Sequence, residues 1–185
     1  SFQVMHQAYE VTLEGLTADP AVDNHQQLSG LVRTADVASN RELEEMLSAS
    51  HGSDTLTLSW EHPTERNHRF TVAGIVRQDN DSKLSLALDG SSIGVDRREA
   101  TEVTVPGKSN FTVTGVRAVV DRGRHIELRF SDPLQKNQRL RGLIQVGNKP
   151  LRFTIESNIV RVYSNQPWLP NESVSVSQSI QSKNG

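Results

Sequence analysis

Histidine is the residue type in this chain best suited to binding a metal ion or moving a proton near neutral pH. On one element, a metal site needs two histidines at i and i+2 on a strand, or at i and i+4 on a helix, and no pair has that spacing. His62 and His68 could still meet across the turn between them, with Glu61 or Glu65 nearby. We expect a polar hairpin tip there rather than a metal site, and we expect His125 to face solvent. The histidines are His6, His25, His51, His62, His68 and His125.

Two acidic groups could also carry chemistry. The segment 79–82, Asp-Asn-Asp-Ser, resembles a calcium-binding loop but lacks the glycine and the distal glutamate of an EF-hand. Because it lies between two predicted strands, we expect a hairpin turn. Glu42, Glu44 and Glu45 could act as paired carboxylates, but we expect them to favour the start of a helix. The chain has no Gly-x-Ser-x-Gly motif and no glycine-rich phosphate loop. We therefore predict no catalytic residue, no metal ligand and no cofactor.

Trp168 is the single candidate for a partner contact. It lies in Gln166-Pro167-Trp168-Leu169-Pro170, between two predicted strands. An exposed tryptophan can anchor a partner protein. We favour the alternative that it closes the open end of a small β-sandwich, which needs large side chains at its ends.

Composition bounds these possibilities. The chain has 185 residues, enough for one large or two small domains. Its 20 Lys and Arg nearly balance its 22 Asp and Glu, so nothing draws it to nucleic acid or to an anionic membrane surface. With no cysteine, it contains no disulfide, thiolate zinc site or thioester. No apolar run is long enough to span a membrane, and we expect the chain to be one piece of a longer protein.

Side chains alternate between apolar and polar along most of the chain, which indicates strands with one face buried. In the first half this holds for Tyr9–Leu13, for Leu56–Trp60, where Trp60 should belong to the core, and for Phe70–Val76 and Leu84–Leu88. In the second half the alternation predicts about seven strands, the first beginning at Phe111, which is typical of an antiparallel sandwich.

One segment departs from the alternation. Ser39 and Glu42 have the spacing of a capping box, and apolar residues then follow at helical intervals. Gly52 provides a stop signal. The sequence predicts a short helix at about residues 40–49.

The polar segment 106–110, Pro-Gly-Lys-Ser-Asn, is the best candidate for a domain boundary. We predict a mostly β fold with two antiparallel β-sandwich domains, of the immunoglobulin or macroglobulin kind. Residues 1–105 form the first, which carries the helix, and residues 106–185 form the second.

Several motifs resemble the macroglobulin domains of bacterial α2-macroglobulin-like proteins of the Bacteroides type. The most specific is Ile126-Glu127-Leu128-Arg129-Phe130-Ser131-Asp132-Pro133-Leu134, followed by Leu140-Arg141-Gly142-Leu143-Ile144 and the ending Ile180–Gly185. In the first half, Gly15–Asn24, Leu28–Val32, the capped helix and Phe70–Ile75 are similar to the preceding domain of these relatives. The resemblance covers nearly the whole chain, although Phe-Ser-Asp-Pro-Leu also occurs in other bacterial immunoglobulin-like repeats.

The resemblance implies a periplasmic or cell-surface endopeptidase inhibitor that traps a protease after a bait region is cut. It implies a scaffold role for this chain, because the chain has neither a bait segment nor the cysteine of a thioester. The implied partners are the other domains of the same protein and, for the whole protein, proteases. A membrane would be reached only through a lipid anchor outside these residues.

Two alternatives remain open. Tandem immunoglobulin-like domains also build adhesins and cell-surface stalks, which would continue as short β-repeats rather than lead to a helical thioester domain. A carbohydrate-binding sandwich would present aromatic residues on one face, and only Tyr9, Tyr163 and Trp168 are available.

Overall fold

A computed structural model of the chain describes residues 8–19, 21–22, 24–120, 124–169 and 171–183. Predictions that involve the two chain ends, His6, Pro20, Asp23 or Pro170 lie outside these residues. Within them the chain is mostly β, with four antiparallel sheets and one α-helix. The predicted fold class, an antiparallel β-sandwich with a short helix, is confirmed.

The chain divides into two units. Unit 1 comprises Ser1–Gly15 and Asp19–Asn110, and unit 2 comprises Leu16–Ala18 and Phe111–Gly185. The predicted domain limits at residues 105 and 106 stay a prediction.

Unit 1 contains two four-stranded sheets. The first has the strand order β1-β2-β6-β5 and the second has the order β4-β3-β7-β8. The strands are β1 (Tyr9–Ala18), β2 (His25–Thr34), β3 (Leu47–His51), β4 (Asp54–Leu56), β5 (Leu58–Thr64), β6 (Asn67–Val76), β7 (Ser82–Asp89) and β8 (Arg98–Val105).

Both sheets of unit 1 contribute to its interior. Leu28 and Phe70 of the first sheet and Leu84 and Leu86 of the second are at most 1% exposed. Their neighbours along each strand are more exposed, so the alternation in the sequence matches the burial of each strand.

Helix α1 (Asn40–Met46) begins at the predicted capping box. The Ser39 hydroxyl accepts a hydrogen bond from the Glu42 amide, and the Glu42 carboxylate accepts one from the Ser39 amide. Leu43 and Met46 are buried. The helix ends earlier than predicted, because Leu47 has an extended backbone and begins β3.

Two expectations about connections in unit 1 were wrong. Leu56 and Trp60 lie on different strands, since Leu56 pairs with Ala49 in one sheet whereas the strand of Trp60 pairs with β6 in the other. The segment 79–82 is likewise not a hairpin turn, because it joins β6 of the first sheet to β7 of the second. Side-chain alternation continues through both crossings, so it does not reveal them.

A glycine fixes the packing of the first sheet. Gly30 of β2 lies directly opposite Phe70 of β6. A Cβ atom on Gly30 would come within 2.3 Å of the Phe70 ring, which is itself 1% exposed and closely packed. The aromatic ring therefore occupies the space that a side chain at position 30 would need.

We expect Gly30→Ala to destabilise unit 1 by about 2 kcal/mol, because an overpacked core must shift its backbone or its rotamers. Urea unfolding would measure the change. The matched control is the same substitution in a Phe70→Leu background, where the smaller side chain should reduce the penalty. Equal penalties in both backgrounds would contradict this account of the contact.

Unit 2 contains a four-stranded sheet in the order β12-β13-β10-β9 and a two-stranded sheet of β11 and β14. Its strands are β9 (Val113–Val119), β10 (His125–Phe130), β11 (Ile144–Val146), β12 (Leu151–Glu156), β13 (Ile159–Ser164) and β14 (Val174–Val176). About seven strands were predicted, and the described residues form six. Phe111 precedes β9 without being part of it, and the alternation up to Val119 belongs to a single strand.

The packing of the unit 2 core explains the motif Phe130–Leu134. Phe130 ends β10, and its amide and carbonyl both bind Asn158, the carbonyl through the Asn158 side chain at 2.9 Å. After the turn at Asp132 and Pro133, Leu134 is again buried. The core residues are Leu128, Phe130, Leu134, Leu140, Ile144, Val160, Val162 and Ile180. Phe-Ser-Asp-Pro-Leu thus places two core side chains, Phe130 and Leu134, on either side of a bend in the chain.

Candidate functional site

His62 and His68, which could meet across a turn according to the sequence, do lie together in the structure, and a β-bulge brings them together. In the β5–β6 hairpin, Glu61 pairs with Arg69 and Thr64 pairs with Asn67, so two residues of β5 oppose the single residue His68. A bulge of this kind redirects a side chain. The Thr64 hydroxyl accepts a hydrogen bond from the Asn67 amide at 3.0 Å and so closes the turn.

The two imidazole rings are in direct contact. The Nδ1 atoms of His62 and His68 are 2.9 Å apart. His68 is 1% exposed, whereas the His62 side chain is 15% exposed and stacks on the ring of Trp60. One nitrogen must donate and the other must accept, so the pair needs at least one ring to be deprotonated at Nδ1.

A carboxylate beside His62 favours one assignment of donor and acceptor in the pair. Glu44 of helix α1 lies with Oε1 3.4 Å from Nε2 of His62. A proton on Nε2 of His62 faces this carboxylate and leaves Nδ1 free to accept from Nδ1 of His68. The predicted neighbours Glu61 and Glu65 do not provide this carboxylate; Glu44 of the helix does.

Burial lowers the pKa of His68, and the positive charge that His62 can carry lowers this pKa further, while a hydrogen bond from the His68 ring to the backbone of Glu65 opposes both effects. His68 therefore favours its neutral form. Within the described ranges, no three His, Cys, Asp or Glu side chains come together in a way that could hold a metal ion. The two rings can bind and share a proton through their facing nitrogens.

The expectation that His125 faces solvent was wrong. His125 is 8% exposed, its ring centroid is 5.1 Å from that of Tyr163, and its Nε2 is 3.6 Å from Oε1 of Glu127. It lies on the face of β10 opposite to the unit 2 core, and this face is itself buried along β10.

Glu127 is the centre of a buried ionic cluster that the sequence analysis missed. It pairs directly with Arg117 of β9 and with Arg161 of β13. Its carboxylate accepts from Arg117 Nη2 at 3.0 Å and from Arg161 Nε at 3.2 Å. Burial raises the pKa of Glu127, but the hydrogen bond from Arg161 and the charge of Arg117 outweigh burial, so the pKa lies below its usual range. The sequence did contain a signal for this cluster, because three neighbouring strands each carry a charged residue, Arg117, Glu127 or Arg161, where the strands pair.

The acidic segment 79–82 holds the end of unit 1 in place. Asp81 accepts a hydrogen bond from the Gly107 amide at 2.8 Å and from the Asn110 side chain at 3.1 Å. These two bonds, the backbone amide first, lower the pKa of Asp81. The adjacent Arg77 is 4% exposed and donates to the carbonyls of Pro106 and Gly107. Asp81 thus serves as a structural hydrogen-bond acceptor.

The helix carboxylates also have separate partners. Glu42 completes the capping box, and its hydrogen bonds with the side chain and backbone of Ser39 lower its pKa. Glu45 forms an ion pair with Arg41 one turn earlier, at 2.9 Å, and Glu44 faces His62. The three do not converge on one site.

Trp168, the candidate partner contact, is half-buried and packs against the core of unit 2. Its indole Nε1 donates to the carbonyl of Arg124 at 3.5 Å, while the adjacent Leu169 is 59% exposed. Trp60, which we expected in the core, is also half-buried, because β5 is an edge strand of its sheet.

Comparison of the chain with protein-family models, with curated proteins and with solved structures gave no match. In the part of the chain that the structure describes, no helix combines the length and the apolar character needed to cross a bilayer.

Proposed function

We propose that this chain is a non-catalytic scaffold module of a bacterial α2-macroglobulin-like endopeptidase inhibitor, located in the periplasm or on the cell surface. The observation that carries the proposal is how two of its buried charged side chains are bonded. Arg77 and Glu127 both bind partners within their own units. Such side chains stabilise a module rather than present a reactive group to a substrate.

One feature supports the trap over a plain stalk. Helix α1 is capped and packs through Leu43 and Met46, and plain immunoglobulin-like stalk repeats rarely contain such a helix.

The proposal also covers the partners of the chain and its attachment to a membrane. The partners of the module are the other domains of the same longer protein. The proteases are partners of the whole inhibitor, and any lipid anchor belongs to a segment outside these residues.

Sedimentation of the native full-length protein with trypsin tests the proposal. We expect trypsin to cut the inhibitor within a short region, and a portion of the enzyme to sediment with the cleaved inhibitor. Trypsin whose active-site serine has been blocked is the matched control and should neither cut nor co-sediment. If active trypsin does not sediment with the inhibitor, the proposal fails and the cell-surface stalk takes its place.

A further inference from the structure

We propose that His62 and His68 form an acid-sensitive latch on the β5–β6 hairpin of unit 1, which holds one shared proton between its Nδ1 atoms and opens when both rings are charged. The geometry carries this inference. The two Nδ1 atoms are 2.9 Å apart, and one of the rings is 1% exposed. The latch is independent of the proposed scaffold function.

The proton count of the pair explains why it would act as a latch. In the neutral pair, His62 carries its proton on Nε2 beside Glu44, and Nδ1 of His68 donates to Nδ1 of His62. When one proton is added, the shared proton moves to Nδ1 of His62 and the new proton binds Nε2 of His68. The Nδ1–Nδ1 hydrogen bond survives, and the positive charge lies on His62 beside the Glu44 carboxylate.

A second proton cannot be accommodated in the same way. Both Nδ1 atoms would then carry a hydrogen, so two donors and two positive charges would face each other at the distance of a hydrogen bond. The second charge would also lie on His68, which the surrounding protein shields from water. Opening the hairpin relieves both problems, because it hydrates His68 and separates the rings.

The groups around the pair favour this order of protonation. Glu44 of helix α1 is the carboxylate on the His62 side, and Trp60 of β5 lies against the His62 ring. On the neighbouring strand β2, the residue paired with His68 is Val32, which is fully buried. The charged group that lowers the pKa of His68 is His62, after burial.

The sign of the pH effect follows from the lowered pKa of His68. The folded state binds the second proton more weakly than the unfolded chain does, so unit 1 is most stable above the unfolded pKa of histidine, about 6.5. Its stability falls as the pH drops below that value and continues to fall toward the folded pKa.

Thermal unfolding tests the latch. We expect the unfolding temperature of unit 1, reported by Trp60 fluorescence in a Trp168→Phe background, to fall by roughly 4–8 °C between about pH 7 and about pH 5. The double variant His62→Phe, His68→Phe keeps two aromatic rings in place but cannot bind a proton, so most of this fall should disappear. His25→Gln, which removes a histidine elsewhere in the same unit, should retain it. An unchanged fall in the double variant would overturn the latch.

A second measurement needs no substitution. The imidazole resonances of His62 and His68, followed by NMR against pH in the unaltered chain, should move together in two steps. The second step should occur well below the ordinary value for histidine, about 6.5. If each ring titrates in a single independent step near the ordinary value for histidine, the two rings share no proton and the proposal is wrong.

Discussion

Arg77→Ala should destabilise unit 1 by about 3 kcal/mol, because it removes a buried cation and leaves the carbonyls that it binds without a donor. Arg77 Nε donates to Pro106 at 3.0 Å, and Nη2 donates to Gly107 at 2.5 Å and to Asn110 at 3.4 Å. Pro106 and Gly107 are buried, so water cannot replace the lost donor without rearrangement. Urea unfolding followed by Trp60 fluorescence, in a chain carrying Trp168→Phe, would measure the change for unit 1 alone.

The matched control is Arg69→Ala. Arg69 lies on the same strand, β6, but is exposed, and substitutions at such positions usually change stability by less than about 0.5 kcal/mol. Arg77→Lys should recover part of the loss, since an ammonium group can bind one carbonyl but not span several. If the Arg77 and Arg69 variants unfold at the same urea concentration, Arg77 does not hold the segment 106–110.

Glu127→Gln should destabilise unit 2 by about 3 kcal/mol, because it removes the charge of a buried carboxylate and leaves two half-buried guanidinium groups without their anion. The carboxylate lies between Arg117 and Arg161, and a third guanidinium, that of Arg129, is 4.0 Å away. An amide has nearly the same shape as the carboxylate, so the effect isolates the charge. Urea unfolding followed by Trp168 fluorescence in a Trp60→Phe background would report on unit 2.

The loss of stability caused by Glu127→Gln should depend on pH. The pKa of Glu127 is lower in the folded chain than in the unfolded one. The stabilisation that the charged Glu127 gives to unit 2 is therefore complete above the pKa of the unfolded chain, about 4.3. It is lost as the pH falls through the pKa of Glu127 in the folded chain. The stability difference between the unaltered chain and Glu127→Gln should shrink steadily in strong acid.

Glu156→Gln is the control for Glu127→Gln on the same sheet. Glu156 also pairs with Arg161, but its side chain is 66% exposed, and ion pairs exposed to water contribute little. We expect a change below about 1 kcal/mol. A large effect at Glu156 together with a small one at Glu127 would contradict the burial argument.

The parts of the fold that could be predicted are those that local chemistry specifies. Alternation identified most strands, because each strand buries one face. The capping box placed the first residue of helix α1 correctly, because Ser39 and Glu42 satisfy each other's amides without help from the rest of the chain.

The predicted fold was wrong where tertiary contacts outweighed the local spacing of apolar residues and glycine. Leu47 continues the apolar spacing of the helix, yet it pairs with Leu88 in a sheet, and the helix ends before it. The sequence predicted a helix stop at Gly52, but Gly52 has a positive φ and lies in the tight turn between β3 and β4. Glycine tolerates that conformation equally well in either setting.

The buried charges could not be predicted for a different reason. Arg77 follows β6 in a polar segment and resembles any surface arginine, because its partners are backbone carbonyls whose identity leaves no trace in the sequence. The sequence indicated that the two histidines could meet across a turn, although we expected a polar hairpin tip there. The bulge at His62 and the carboxylate of Glu44, which come from strand register and from a distant helix, were not.

The most direct test of the scaffold proposal uses the native full-length protein, saturated with trypsin and freed of unbound enzyme. Two substrates are then compared, a small chromogenic peptide and a large protein. The account predicts that the bound trypsin still cuts the peptide but spares the large protein, because a collapsed cage of β-domains admits only small molecules. If both substrates are cut as fast as by free trypsin, or if no activity remains with the protein, this chain is not the scaffold of a protease trap.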